Sequence, residues 1–220
     1  MSDRSNHSSG IVLSRIFYNF VRITGALPGL IWLRPRILYE SPAARKHMKG
    51  GGLIVCNHIS LLDPVYVMFA IWYRRIRFIC LKEFFNGRFS SLIFRLGRCI
   101  PIDRENVSMD TLREVVSGLK GGDLITIFPE GHINESGEAM ERFKSGAVLM
   151  STMGARPILP VYIDKPKRPL SRLTAAIGEP MDPAGELGQR PTSEQLQAFS
   201  ERLQGKEMEL MQLVAERKRK

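Results

Sequence analysis

Leu53-Ile54-Val55-Cys56-Asn57-His58-Ile59-Ser60-Leu61-Leu62-Asp63-Pro64 is a strand, a turn and the opening of a helix in twelve residues. Four apolar residues in a row, stopped abruptly by a polar pair, read as a strand buried on both faces. Pro64 suits the first turn of the helix that follows, where its missing N–H would have had no partner anyway. The unit recurs along the chain. Strands are predicted at Leu53–Cys56, Ile76–Leu81, Arg98–Asp103, Asp123–Phe128, Pro157–Ile163 and Leu173–Ile177. Helices are predicted at 61–73, 84–96, 106–119, 140–153 and 193–216. Such alternation defines an α/β fold, a single domain with a largely parallel mixed sheet flanked by helices.

Ligand sites in open α/β sheets lie beyond the carboxyl ends of the strands, so the residues after each strand matter most. Of the four histidines, His7 and His47 sit in polar sequence, whereas His58 ends a strand. Asp63, five residues on, can curl back from the first helical turn towards its ring. A carboxylate on one imidazole nitrogen fixes the tautomer and makes the other nitrogen a better base. Ser60 and Asp63 also read as a helix start, with Ser60 the N-cap and Asp63 favouring the dipole. That reading leaves His58 without a structural reason. A second strand ends at Arg104, and a third runs into Pro129-Glu130-Gly131-His132, where Gly131 permits a tight turn whose N–H groups could face an anion.

The chain of 220 residues carries a net charge of +10, which favours phosphate-bearing partners or an anionic membrane surface. Seven basic residues (Arg15, Arg22, Arg34, Arg36, Arg45, Lys46, Lys49) stand against Glu40 alone in residues 11–50. The same stretch is rich in large apolar residues, but its longest uncharged run, Ile23 to Leu33, is shorter than the ~20 residues a spanning helix needs. If residues 11–23 are helical, Ser14, Arg15, Asn19 and Arg22 fall within about 140° and apolar side chains fill the rest. A face that wide, with Trp32 nearby, suits a helix lying in a membrane interface; packing on the domain core is the alternative. A second basic stretch, Arg74–Arg104, raises nucleic-acid binding, but no zinc-finger spacing, RNP-like strand or recognition helix accompanies it, so no nucleic-acid partner is expected. Cys56, Cys80 and Cys99 lie among apolar neighbours without a CxxC pair, which reads as reduced, packed thiols.

Four blocks occur in order: Asn57-His58-x-x-x-x-Asp63, Gly97 to Arg104, Phe128-Pro129-Glu130-Gly131, and Ile158-Leu159-Pro160-Val161. Together they closely resemble the blocks of the glycerolipid acyltransferase family, specifically its bacterial 1-acyl-glycerol-3-phosphate acyltransferases. Phe143-Lys144-Ser145-Gly146-Ala147 resembles the segment that follows the third block. One departure is His132, where a Ser, Thr or Arg is more usual. The resemblance covers roughly residues 50–180. It implies acyl transfer from a thioester, acyl-CoA or acyl-carrier protein, to the sn-2 hydroxyl of lysophosphatidate or a related lysophospholipid. It casts His58 as general base with Asp63 as partner. It places Arg104, the Glu130–Gly131 turn and Lys82 at the acceptor's phosphate, with Asn57, Ser60, Pro129 and Pro160 as supporting motif residues. Neither a metal nor a cofactor is implied.

The chain then divides into a flexible N-terminus (1–10), an amphipathic membrane-associating segment (11–39), the acyltransferase α/β domain (40–183), and a C-terminal linker with an amphipathic helix (184–220). The expected location is the cytoplasmic side of the cell membrane, peripheral or monotopic. The chemistry of the residues agrees, because a substrate hydroxyl needs a base and His supplies one near neutral pH. No enzyme nucleophile is required. Cys56 on a buried strand reads as core, and Ser60 lacks a G-x-S-x-G elbow. Two other classes are open to the same residues: a metal-dependent phosphohydrolase using His58, Asp63, Asp103 and Glu130, and a non-enzymatic membrane- or nucleic-acid-binding module.

Overall fold

The computed structural model describes residues 2–103, 107–134, 140–165, 172–188 and 190–219. A long helix α1 (Ser2–Leu33) leads into strand β1 (Arg36–Tyr39), followed by β2 (Gly52–Cys56), α2 (Asp63–Ala70) and β3 (Ile76–Leu81). A single 3₁₀ turn (Lys82–Phe85), α3 (Arg88–Leu96), β4 (Ile100–Ile102), α4 (Met109–Lys120) and β5 (Leu124–Ile127) come next. The chain closes with α5 (Gly146–Gly154), β6 (Ile158–Asp164), β7 (Thr174–Ile177), the short α6 (Pro183–Leu187) and α7 (Ser193–Arg219).

The strands form one sheet in the order β1-β7-β6-β2-β5-β3-β4. Every neighbouring pair is parallel except β6 with β7. The expected α/β fold is therefore present. β2 lies in the middle, with Leu53, Ile54, Val55 and Cys56 all fully buried, as a strand covered on both faces must be. One core layer sits under α2, where Val67, Ala70 and Ile71 meet Ile54, Cys56 and Ile163. The opposite layer lies under α4, α5 and the first half of α7, where Val115, Leu119, Val148, Phe199 and Leu203 meet Leu53, Val55 and Ile125.

Several boundaries differ from the sequence reading, each for a local reason. The span 84–96 breaks at Gly87, whose extended backbone (φ −84, ψ 142) starts α3 afresh. The span 140–153 starts only at Gly146, because Glu141 and Lys144 donate their backbone N–H groups to Glu130 and to the Pro129 carbonyl. β1 lies inside residues 11–39, expected as a membrane-associating segment with no strand; its four half-buried residues gain their order by pairing with β7. α1 is longer in both directions than residues 11–23 and continues through Pro28. Its end docks closely on α2: a Cβ on Gly29 would lie 2.0 Å from the Phe69 ring, so any larger residue would have to displace that ring.

Among the residues of α1 whose side chains are described, most of those exposed are apolar, including Ile16, Phe20, Ile23, Leu30, Ile31 and Trp32, while Ser14 is buried against the domain. Tyr18 donates its hydroxyl to the Arg74 carbonyl. The helix is thus turned apolar side outward. α3 packs beside α1 and leaves Phe89, Leu92 and Ile93 exposed on the same molecule. Among the described residues, no helix is long and apolar enough to cross a membrane.

Candidate active site

The carboxyl ends of β2, β5 and β6 meet in one cluster. His58 follows β2, and its Nδ1 lies 2.8 Å from Asp63 Oδ2. Asp63 is fully buried, while the His58 side chain keeps 17% of its surface exposed. The same oxygen accepts the backbone N–H groups of Ile59 (2.7 Å) and Ser60 (2.8 Å). A carboxylate holding three donors must receive the imidazole's proton at Nδ1, which leaves Nε2 as the basic nitrogen. The ring is stacked on Phe128 at the end of β5, with centroids 4.2 Å apart.

This wrapping changes the expected helix start. Ser60 is not the N-cap; Leu62 holds that position, and no side chain caps the helix. The Ser60 hydroxyl instead accepts the Leu62 N–H at 3.2 Å. The loop 59–62 is folded round the Asp63 carboxylate, so α2 begins one turn's fraction later, at Asp63 itself.

Asn57 locks the strand ends together. Its Oδ1 accepts the Ile163 N–H at 2.7 Å and its Nδ2 donates to the Ile163 carbonyl at 3.0 Å, continuing the β2–β6 ladder through a side chain. Pro160 lies deeper, in register with Val55 on β6, and its carbonyl accepts the Gly178 N–H.

Glu130 points inward and is 2% exposed. Its Oε1 accepts the His58 N–H at 3.1 Å and its Oε2 the Glu141 N–H at 3.2 Å. Burial pushes its carboxyl above the usual carboxylate range, while these hydrogen bonds and one from Asn134 pull the other way. Its direct effect is to clamp the loop that carries His58. Gly131 adopts φ +79, which suits glycine, and its N–H closes the Pro129–Glu130 turn on the Phe128 carbonyl instead of facing outward. His132 Nε2 reaches Glu141 Oε2 at 2.8 Å.

Cations surround this edge. Lys82 is exposed at the carboxyl end of β3. Lys144 lies against Gly131, its Nζ 3.2 Å from where a Cβ would stand. Lys165 donates to the Ile59 carbonyl at 2.8 Å. Arg104 lies outside the described residues. The sequence reading singles out neither Lys144 nor Lys165 at this edge, although the Phe143–Ala147 segment contains the first of them. Cys56 is fully buried, and burial, aided by Glu207, Asp63 and Glu130, pushes its thiol far above its ordinary range, the opposite of what a nucleophile needs. Among the described residues, no three His, Cys, Asp or Glu side chains converge in a metal-holding arrangement.

An imidazole oriented by a buried carboxylate, with Lys144 and Lys165 at the same edge, can take a proton from a hydroxyl. The acyltransferase family model matches residues 36–164, and the chain belongs to this family. It is similar to a 1-acyl-sn-glycerol-3-phosphate acyltransferase of Bacillus subtilis (strain 168), 27% identical over 165 residues, covering 73% of this chain and 81% of that protein. A protein of the same name from Streptococcus pneumoniae (strain ATCC BAA-255 / R6) is 29% identical over 166 residues, 74% of this chain and 60% of its own length. The crystal structure of the 1-acyl-sn-glycerophosphate acyltransferase PlsC from Thermotoga maritima shares the fold, with a TM-score of 0.61, 22% identity, and coverage of 98% of this chain and 84% of that one. The protein is an acyltransferase enzyme acting in lipid metabolism.

Proposed function

We propose that this acyltransferase moves a fatty acyl group from a thioester donor, acyl-CoA or acyl-carrier protein, to the sn-2 hydroxyl of lysophosphatidate, giving phosphatidate. The observation that carries the proposal is the His58–Asp63 pair, 2.8 Å apart at the carboxyl edge of the sheet with only the imidazole open to solvent. The names of the two bacterial relatives supply the acceptor.

In this reading His58 Nε2 takes the acceptor's hydroxyl proton as the oxygen attacks the thioester carbonyl. The buried Asp63 carboxylate stabilises the imidazolium that forms. Collapse of the tetrahedral intermediate breaks the C–S bond, and the departing thiolate takes up the proton. Lys82, Arg104 and the Glu130–Gly131 turn, joined by Lys144, hold the acceptor's phosphate; Glu130 contributes by fixing the turn and the His58 backbone. The exposed apolar residues of α1 and α3 lie in one leaflet's interface, with nearby cations at anionic headgroups, on the cytoplasmic side. Two long apolar surfaces facing water would otherwise be an aggregation liability.

The test is a matrix of donors against acceptors with purified protein in detergent. Lysophosphatidate should be preferred over lysophospholipids whose phosphate carries a substituent. Equal rates with all acceptors would remove phosphate recognition from the proposal, and no transfer to any of them would remove the reaction.

A further inference from the structure

A second concentration of positive charge lies at the opposite edge of the sheet. The amino ends of the three neighbouring strands β5, β3 and β4 are preceded by Asp123, by Arg74 and Arg75, and by Arg98. With Arg77 they line a cavity of about 330 Å³, roofed by Ser14 and Tyr18 of α1. β3 has six residues, which at ~3.3 Å each places this cavity about 20 Å from the dyad edge.

The charges there do not balance. Arg77 bonds Asp123 (3.1 Å) and Glu114 (2.5 Å), and Arg98 shares the same Asp123 at 3.3 Å. Arg74 directs its guanidinium at three neutral carbonyls, those of Met48, Gly50 and Gly122. Arg75 is exposed and pairs with no carboxylate among the described residues. Among the described residues, four guanidinium groups therefore line the cavity with one carboxylate, Asp123, and Glu114 pairs with Arg77 beyond the lining. Arg98 is also held at φ +54, a conformation that a non-glycine residue rarely adopts. A polar hollow with surplus cations, of which Arg74, Arg77 and Arg98 are held by their own hydrogen bonds, is a partly preorganised anion site.

We infer that this cavity between α1 and the amino ends of β3–β5 binds a phosphate group, separately from the catalytic edge. Arg75 supplies a cation with no carboxylate partner among the described residues, and Arg74 and Arg98 supply a fixed field. Its occupant is a phosphate-bearing headgroup reached along α1, or a soluble phosphate. In either case the ligand would tie α1 to the sheet.

Calorimetric titration of the full chain with inorganic phosphate tests the inference. Two classes of site are expected, one lost in Lys82→Ala/Arg104→Ala and the other weakened at least tenfold in Arg75→Glu. Arg75 is exposed and pairs with no carboxylate among the described residues, so its variant should keep the wild-type Tm. Arg113→Glu, which makes the same charge change on the exposed face of α4, controls for net charge and should bind both as wild type. Competition by phosphatidylglycerol vesicles, absent with phosphatidylcholine, assigns the site to a headgroup. Phosphate binding without such competition assigns it to a soluble ligand. A single class of site that survives Arg75→Glu, or equal losses in Arg75→Glu and Arg113→Glu, overturns the inference. Because the catalytic-edge site is read by the Lys82/Arg104 variant, its failure is distinguishable from failure here.

Discussion

Replacing Asp63 by Asn isolates the electrostatic part of the dyad. The carboxylate oxygen Oδ2 accepts from His58 Nδ1, Ile59 N and Ser60 N at 2.7–2.8 Å, and Oδ1 is buried with no hydrogen-bond partner among the described residues. Asparagine can keep one oxygen facing the three donors, but as a neutral acceptor, at roughly half the strength of each charge-assisted bond. Its NH₂ then occupies the place of Oδ1, a buried donor without an acceptor, at a cost of about 1–3 kcal/mol. With ~2–4 °C of Tm per kcal/mol for a domain of this size, Tm should fall by about 2–12 °C while the fold persists. The effect on chemistry should be larger. If the amide is flipped instead, its NH₂ faces Nδ1 and selects the tautomer with the proton on Nε2, which removes the base. In either orientation the imidazolium loses its counter-charge, so kcat should fall by ~10²–10⁴. Thiol release from an acyl thioester, followed with a chromogenic reagent at saturating lysophosphatidate, measures it. A folded Asp63→Asn protein with kcat within about threefold of wild type would refute the dyad reasoning.

His58→Ala should lower kcat by ~10²–10⁴ with little change in Tm, whereas Cys56→Ala should remain active; loss of all turnover in a folded Cys56→Ala would revive a thiol nucleophile. Arg104→Ala should raise the acceptor KM more than it lowers kcat and leave the donor KM alone, since the phosphate keeps its charge through the reaction; initial rates at varied lysophosphatidate and saturating donor decide it. Ile16→Glu/Phe20→Glu on the exposed face of α1 should weaken sedimentation with anionic vesicles, and high salt should weaken wild-type binding without abolishing it. This pair is preferable to a truncation at Gly50, which would also delete β1 from the sheet. Glu207 on α7 is fully buried, and among the described residues neither of its oxygens has a partner at normal hydrogen-bond geometry. Burial, and secondarily the charge of Glu130, push its carboxyl well above the usual range against a smaller opposing effect of the Asn57 backbone. The folded protein therefore holds a proton that the unfolded chain releases, and stability should fall as pH rises above the ordinary carboxylate range. Glu207→Gln should remove that loss: its Tm should exceed wild type at pH 8 and converge with it near pH 4, and a constant difference across the titration would count against the burial account.

The sequence by itself determined the elements and the order of the chemistry. An apolar run ended by Asn57-His58 can only be a strand that delivers a polar pair to one edge, and a helix beginning at Asp63-Pro64 brings its first carboxylate back within reach. Those are local facts, set by a pleat of period two and a turn of a few residues. The apolar excess of residues 11–33 was equally local, and so was the prediction that this segment faces outward. What only the tertiary structure decided depends on residues far apart in the chain. Asp63 carries three donors because the loop closes on it, so Ser60 could not be the N-cap that its position suggested. Glu130, read as a phosphate contact, turns inward because the His58 and Glu141 N–H groups, 72 and 11 residues away, need an acceptor. β1 exists only because β7 supplies its hydrogen bonds, and four half-buried residues carry too weak a pattern to announce a strand. The amino-edge cavity is likewise invisible in the sequence, where Arg74, Arg75, Arg77 and Arg98 form only a basic stretch. Parallel strand order β5-β3-β4 puts their amino ends side by side, and the packing of α1 turns a run of charges into a concave site.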